Sequence, residues 1–356
     1  MKEESPTPIR VTMFMRHPGP GAHSIEGVFA AVRDHLPEGI DVECVALERP
    51  SSGLFPRLGN MLQAWRRRGE LNHVTGDVHY LTLALPRNST ILTIPDLRGL
   101  AVKSGLRKWI LYFFWYRLPV KKAMIVTTIS QFTARELVAL LPGSEKKVVH
   151  VDIPISSRFF KSRIEPEIPK TGDSRDSSHS ALVIGTKDNK NLIRIFQAVR
   201  GLDLTLFIIG HLNDIQKDEL RKQKITFRNF VDLPEEEIIS VYSRSSLLMF
   251  PSLYEGFGMP IVEAQALGVP VITSDREPMR TVAGNAAILV DPEHTDSIRA
   301  ATIQILQDDR QRKRLIAAGR ENARRFHPDL VAAQYATLYR DVASWNADRK
   351  GIRGVD

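Results

Sequence analysis

Two carboxylates, Glu255 and Glu263, flank the glycine-rich stretch Gly256-Phe257-Gly258 in the segment FPSLYEGFGMPIVEAQALGVPVITS. Glycines let backbone pass close to a ligand and accept φ > 0. Pro260 suits the first turn of a helix, because its missing N–H costs nothing there, and Met259 just before it is a binding candidate. Gly268, with Pro270 just beyond, ends that helix. The free N–H groups and the positive end of the helix form an anion site. A carboxylate beside an anion is repelled, so each glutamate is better suited to accept hydrogen bonds from hydroxyls on either side of a phosphate. A nucleotide-sugar presents that order of groups: sugar, diphosphate, ribose. Each residue also has a plain structural use, Glu263 as a dipole complement and the glycines as turn residues.

The neighbours of this stretch hold it in place. Leu247 to Phe250 is a fully apolar run suited to a buried parallel strand, and Val269 to Thr273 is a second. The unit is therefore strand, glycine loop, short helix, strand.

That segment, with Glu255 and Glu263 separated by seven residues, resembles the donor-site motif of the family-4 retaining glycosyltransferases of the GT-B fold. The resemblance is strong from about Ala181 to Pro292 and weaker toward the N-terminus. It implies that Glu263 binds the ribose hydroxyls, that Glu255 contacts the transferred sugar, and that the backbone of Gly256, Phe257 and Gly258 approaches sugar and phosphate. It further implies a diphosphate-binding cation at Lys190, in the turn that follows the strand ending at Gly185. Lys187 is a looser match for a second cation, because this turn is about one residue shorter than the common form. By the same resemblance Val231 borders the base, and the loop with Gly19 and Gly21, after a first strand at Ile9 to Met15, borders the sugar-transfer cleft. One departure stands out: an apolar strand is expected at Thr90 to Pro95, and where relatives carry His-Asp after this strand the chain has Pro95-Asp96. Proline cannot supply the hydrogen bond of that histidine.

With 356 residues, two domains are expected. An apolar content of 43% and a charged content of 25% are those of a soluble globular protein. The single cysteine, Cys44, rules out an intramolecular disulfide and fits a reducing cytoplasm. The polar start MKEESPTPIR is not a signal peptide, and no apolar run is long enough to span a bilayer. The net charge of +8 is uneven: through Ile155 there are 20 Lys and Arg against 14 Asp and Glu. A basic N-terminal half suits an anionic partner, either membrane headgroups or a lipid-diphosphate acceptor. Nucleic acid is not expected, since no helix-turn-helix, zinc-finger spacing or aromatic RNA-binding motif is present.

In chain order, helices are expected at His23 to Leu36 and Leu58 to Arg68. Asn72 to Tyr80 reads as a polar segment entering a strand; such segments lie ahead of the cleft in one branch of the family, and His73 or Asp77 is the residue expected to face it. Lys103 to Lys122 is a basic, aromatic helix that suits either a membrane surface or burial. Thr133 with Glu136 fits a capping box. The polar segment 161–180, rich in proline and serine, reads as a linker.

Strands alternating with helices in two halves give an α/β protein, GT-B, with two doubly wound Rossmann-like domains facing an interdomain cleft. The expected boundaries are an N-terminal acceptor-side domain at 1–160, the linker at 161–180, a nucleotide-sugar-binding domain at 181–328, and a C-terminal helix at 329–356 packing back on the first domain. The expected activity is retaining transfer of a sugar from a nucleotide-diphosphate-sugar to a hydroxyl of a glycan or lipid-linked glycan, in cell-surface polysaccharide synthesis. Glu255 and Lys190 are the catalytic candidates. No cofactor is expected, and no metal, since no Asp-x-Asp pair is present and cations at a helix start can stabilise a leaving diphosphate. The expected location is cytoplasmic, with a peripheral position on the inner membrane face as an extension. Two rivals remain: a nucleotide-sugar-binding scaffold without transfer, which Pro95 favours, and a GT-B nucleotide-sugar epimerase.

Overall fold

The computed structural model describes residues 8–18, 23–161 and 179–353. Gly19, Gly21 and nearly all of the expected linker lie outside those residues. The chain divides into two compact units, Met1–Pro154 with Pro328–Asp356, and Ile155–His327. Among the described residues no helix is long and apolar enough to cross a membrane.

The first unit is built on a parallel six-stranded sheet. Its strands are β1 (Ile9–Met15), β2 (Ile40–Ala46), β3 (Leu71–Val74), β4 (Thr90–Ile94), β5 (Ile125–Thr128) and β6 (Val148–His150), in the order β2-β1-β3-β4-β5-β6. All five residues of β4 are buried, as strands covered on both faces require. The helix Pro328–Arg353 belongs to this unit. It buries Val331, Tyr335, Tyr339 and Val342, a three-to-four residue spacing that turns one stripe inward.

The second unit has its own parallel six-stranded sheet. It contains β7 (Ser180–Ile184), β8 (Thr205–Ile209), β9 (Phe227–Phe230), β10 (Leu247–Phe250), β11 (Val271–Ser274) and β12 (Ala287–Val290), in the order β12-β11-β10-β7-β8-β9. The order reverses between β7 and β10, and ligands of doubly wound sheets bind at such a switch point, beyond the strand C-termini. β10 is buried at all four positions. At about 1.5–3 kcal/mol for each large apolar side chain, that burial anchors the loop which follows. The helix Leu192–Val199 buries Leu192, Ile195, Phe196 and Val199 in the same core.

Several local expectations change. Asn72 to Tyr80 does not lead into a strand: β3 is Leu71–Val74, inside the sheet, and His79–Ala84 is a 3-10 helix. The polar residues of β3 hid it, because both are buried with partners. Asn72 bonds the backbone of Gly69 in both directions. His73 is fully buried, its Nδ1 at 2.8 Å from the Tyr339 hydroxyl and its Nε2 at 2.8 Å from Thr93 Oγ1. It is a core histidine. The helix Gln131–Leu140 is capped by Ser130, whose Oγ accepts from the Thr133 N–H at 3.1 Å, so Thr133 sits inside the helix. Residues 155–160, assigned above to the first domain, group with the second unit: Phe159 packs edge-on to Tyr242, and Arg158 pairs with Glu235 and Glu236. The expected helix from 103 to 122 begins at Gly105 and runs on to Lys122 without a gap, as the helix Gly105–Leu111, a π-helical turn Tyr112–Arg117 and the helix Leu118–Lys122. Leu106, Trp109, Ile110 and Phe114 are exposed on it.

Candidate functional site at the β7–β10 switch point

Adjacent parallel strands bring two loops together that lie about 65 residues apart in sequence. The first leaves β7 through Gly185, whose φ is 85°. A Cβ there would sit 2.8 Å from Lys190 Cε, so the absent side chain makes room for the lysine stem. The chain then makes a 3-10 turn, Asp188–Lys190, and Asn191 takes φ 62° before the helix Leu192–Val199. Asparagine is one of the few residues besides glycine that visit the left-handed region as single residues. Here its Nδ2 donates to Pro251 O at 3.1 Å and Pro292 O at 2.6 Å.

The second loop leaves β10. Gly258, with φ 107°, is the N-cap of the helix Met259–Leu267, and Pro260 lies in its first turn. Gly268, with φ 78°, closes that helix in the left-handed conformation. A Cβ on Gly258 would press to 3.1 Å from Ile261 Cδ1.

Where the loops meet, Lys190 Nζ donates to Glu255 Oε1 at 2.6 Å. Asn189 Nδ2 donates to the same oxygen at 3.1 Å and to Tyr254 O at 3.0 Å. The pair is largely shielded, with 17% of the lysine and 12% of the glutamate side chain exposed. The ammonium also lies 4.4 Å from the centre of the Phe250 ring. A lysine has three donors, so Lys190 keeps further donors beyond the one it gives Glu255.

Glu263 is one helical turn further on and only partly exposed. The Tyr242 hydroxyl donates to its Oε2 at 2.6 Å. Burial pushes the Glu263 carboxyl up to about 7, and the Glu235 charge adds to this; the Tyr242 hydrogen bond and Lys190 pull the other way. Burial, together with the adjacent carboxylate, also holds the Tyr242 hydroxyl well above its ordinary range. A carboxyl that titrates near neutrality, beside a cation and a helix N-terminus, can accept hydrogen bonds from vicinal hydroxyls.

Residues 166–322 match the family model described as Glycosyl transferases group 1. The second unit carries a group 1 glycosyltransferase domain. Over 233 residues, or 61% of this chain, the sequence is 28% identical to O-antigen chain mannosyltransferase B of Escherichia coli. It is 29% identical, over 64% of this chain, to O-antigen chain mannosyltransferase RfbU of Salmonella typhimurium. The matches span 61% and 63% of the length of those relatives. In fold, the chain is similar to Anabaena HepE, solved in complex with UDP and glucose: TM-score 0.67 at 14% identity, covering 94% of this chain and 100% of that one. The two parallel sheets with flanking helices are the two Rossmann-like domains of the GT-B fold.

Within the glycosyltransferase domain, Gly185, Lys190, Glu255, Gly258 and Glu263 converge on the switch point, with Gly256 and Met259 in the same loop and helix start. Lys187 is exposed at the N-cap of the 3-10 turn, without an ion pair among the described residues. Phe257 turns inward: it is 5% exposed and packs edge-on to Phe326 at 5.7 Å, leaving only its backbone for the loop surface. Val231, just beyond β9, is 42% exposed. Sequence reasoning missed Asn189, Asn191 and Tyr242. An asparagine pair flanking a lysine after a strand is a readable turn signal for the first two; Tyr242 carries no such signal.

Proposed function

We propose that the chain is a metal-independent retaining glycosyltransferase of the family-4 type, acting in cell-surface polysaccharide synthesis. It takes a nucleotide-diphosphate-sugar as donor and a hydroxyl of a glycan or lipid-linked glycan as acceptor. The observation that carries this reading is the meeting of Lys190, Glu255 and Glu263 around one helix start at the β7–β10 switch point. The names of the O-antigen mannosyltransferase relatives favour a mannosyl donor, and the UDP and glucose bound to HepE favour the nucleotide-sugar class.

In this reading the ribose hydroxyls donate to Glu263, and the diphosphate takes hydrogen bonds from Lys190 and the N–H groups at Met259. The acceptor oxygen bonds to the anomeric carbon as the bond from that carbon to the phosphate oxygen breaks. The nucleoside diphosphate departs on the face from which the acceptor attacks, and the acceptor proton passes to the leaving phosphate oxygen. Lys190 neutralises the charge that develops on that oxygen. Glu255 positions the sugar through its hydroxyls while Asn189 and Lys190 hold the carboxylate in place. The basic first unit would meet the acceptor and an anionic membrane surface, at the cytoplasmic face.

The test is turnover with mannose-bearing nucleotides and a glycan acceptor, with the anomeric configuration of the product read by NMR. Retention supports the reading; inversion refutes it. A second reading, a donor-binding scaffold without transfer, is favoured by Pro95, whose carbonyl accepts from Thr133 Oγ1 at 3.3 Å and which offers no side-chain hydrogen bond. It is distinguished by donor binding without turnover on any acceptor.

A further inference from the structure

The first unit holds a cationic cavity of about 470 Å³ whose lining includes Arg87, Arg117, Lys121, Ser144 and Lys147. Arg87 precedes β4, Lys121 precedes β5 and Lys147 precedes β6. The cavity therefore lies at the N-terminal edge of these strands, opposite the edge where doubly wound sheets receive their usual ligands. Its size is that of a small-molecule site. No carboxylate is among its lining residues, and Arg87, Arg117 and Lys121 make no ion pair among the described residues. Glu145, next to Ser144 in the chain, lies outside the lining and accepts from the Gly143 N–H at 3.0 Å.

Two features separate this cavity from an ordinary solvated basic face. Lys147 is fixed: its Nζ donates to the carbonyls of Val120, Lys121 and Ala123 at 3.0, 3.2 and 2.8 Å. It closes the C-terminus of the helix Leu118–Lys122 and so cancels the negative end of a dipole that would oppose an anion. Ser144 is 5% exposed, and its Oγ has no hydrogen-bond partner among the described residues. It sits at the N-cap of the turn Glu145–Lys147, where a serine ordinarily bonds an N–H, and makes no such bond. A buried hydroxyl left unpaired is costly, and a ligand oxygen would satisfy it.

We propose that this cavity binds the phosphate group of a ligand, with Arg87, Arg117 and Lys121 as its charge partners and the Ser144 hydroxyl as a neutral donor. Guanidinium groups match phosphate oxygens in a forked geometry, and a lysine adds a point charge. Tyr112 lines this cavity and also a neighbouring groove of about 700 Å³ that includes Leu97, Leu100, Trp109 and Leu140. An alkyl chain attached to the phosphate would run into that groove. The phosphate therefore comes either from a lipid headgroup or from a free phosphorylated molecule. The site is independent of the donor site proposed above.

The experiment uses the full chain carrying Lys190→Ala, which removes the other phosphate-binding cation from the readout. Two probes are titrated: inorganic pyrophosphate, and phosphatidylcholine vesicles with and without phosphatidylglycerol. The expected result is binding of at least one probe that weakens about tenfold or more in Arg87→Ala/Arg117→Ala/Lys121→Ala, and several-fold in Ser144→Ala. Ser144→Ala removes no charge, so it separates a built site from a general electrostatic field, and its circular dichroism and unfolding midpoint are expected to match those of its parent. Pyrophosphate binding assigns a free phosphate; binding of anionic vesicles alone assigns a lipid headgroup. Binding of neither probe, or binding indifferent to Ser144→Ala, overturns the proposal.

Discussion

The two sheets spend their polar residues in opposite ways. In the first, His73 sits in β3 with both ring nitrogens used, by Tyr339 and Thr93, and burial lowers its pKa to about 3. It is neutral, saturated and inaccessible, which is the state of a packing residue. In the second, Lys190 and Glu255 leave their strands on glycine-shaped loops, pair at 2.6 Å, and keep donors and acceptors to spare. Both arrangements place a titratable side chain at a parallel sheet. What makes the second a candidate site is unspent hydrogen-bonding capacity at the strand C-termini, next to a helix start.

That contrast can be broken by exchanging what each residue loses. The largest effect is expected from Lys190→Ala: kcat of the proposed transfer falls by about 10²–10³-fold, as for removal of one preorganised donor, while folding survives. His73→Ala should do the reverse. It removes the His73 bond of the buried Tyr339 hydroxyl and one of the two partners of Thr93 Oγ1, which keeps Thr127 at 2.7 Å, and it opens a cavity, costing about 3 kcal/mol in denaturant unfolding. Donor affinity of the folded protein is expected to be unchanged. If His73→Ala abolished binding without destabilising, the assignment of His73 to packing would fail.

The pH dependence sharpens the contrast, because the two shifted groups give slopes of opposite sign. His73 is held below its ordinary 6.5, so on acidification from 6.5 toward 3 the unfolded chain takes a proton that the folded chain refuses. Stability falls with acid, by about 2 kcal/mol at pH 5. Glu263 is held above its ordinary 4.5, at about 7, so between those values the folded chain keeps a proton that the unfolded chain releases. Its contribution is complete below pH 4.5 and is lost as pH rises to 7, by about 3 kcal/mol. Unfolding midpoints of Glu263→Gln across pH 4.5–7 should lack that second slope. A Glu263→Gln profile parallel to wild type would refute the burial argument.

The smallest effect concerns a cap. Ser130→Ala should cost about 1 kcal/mol in the stability of the first unit, and Glu136→Ala close to nothing, measured by the same denaturation. The opposite ranking would restore the capping box at Thr133.

How much of this was legible follows from where each residue's partners lie. Gly258, Pro260 and Gly268 announce the helix Met259–Leu267, because glycine and proline punctuate the chain whatever surrounds them. Apolar runs such as LLMF announce buried strands. β3 stayed hidden because LNHV breaks the apolar pattern with two polar residues, Asn72 and His73, that are satisfied by backbone, Thr93 and Tyr339. Tyr339 lies 266 residues away in sequence, and no local pattern reports that. The same limit hid Tyr242, whose bond to Glu263 spans 21 residues. Ser130 and Thr133 both suit an N-cap; only the backbone geometry at Ser130 chooses between them.

The most direct test of the donor site is a thermal-shift screen of UDP-, GDP-, ADP- and dTDP-sugars against the wild-type chain, Lys190→Ala and Glu263→Ala. At 100 times its dissociation constant a ligand stabilises by about 2.7 kcal/mol. The expected result is that one donor class shifts the wild type and neither variant. A shift that survives both substitutions, or no shift with any nucleotide-sugar, would contradict a donor site at the β7–β10 switch point.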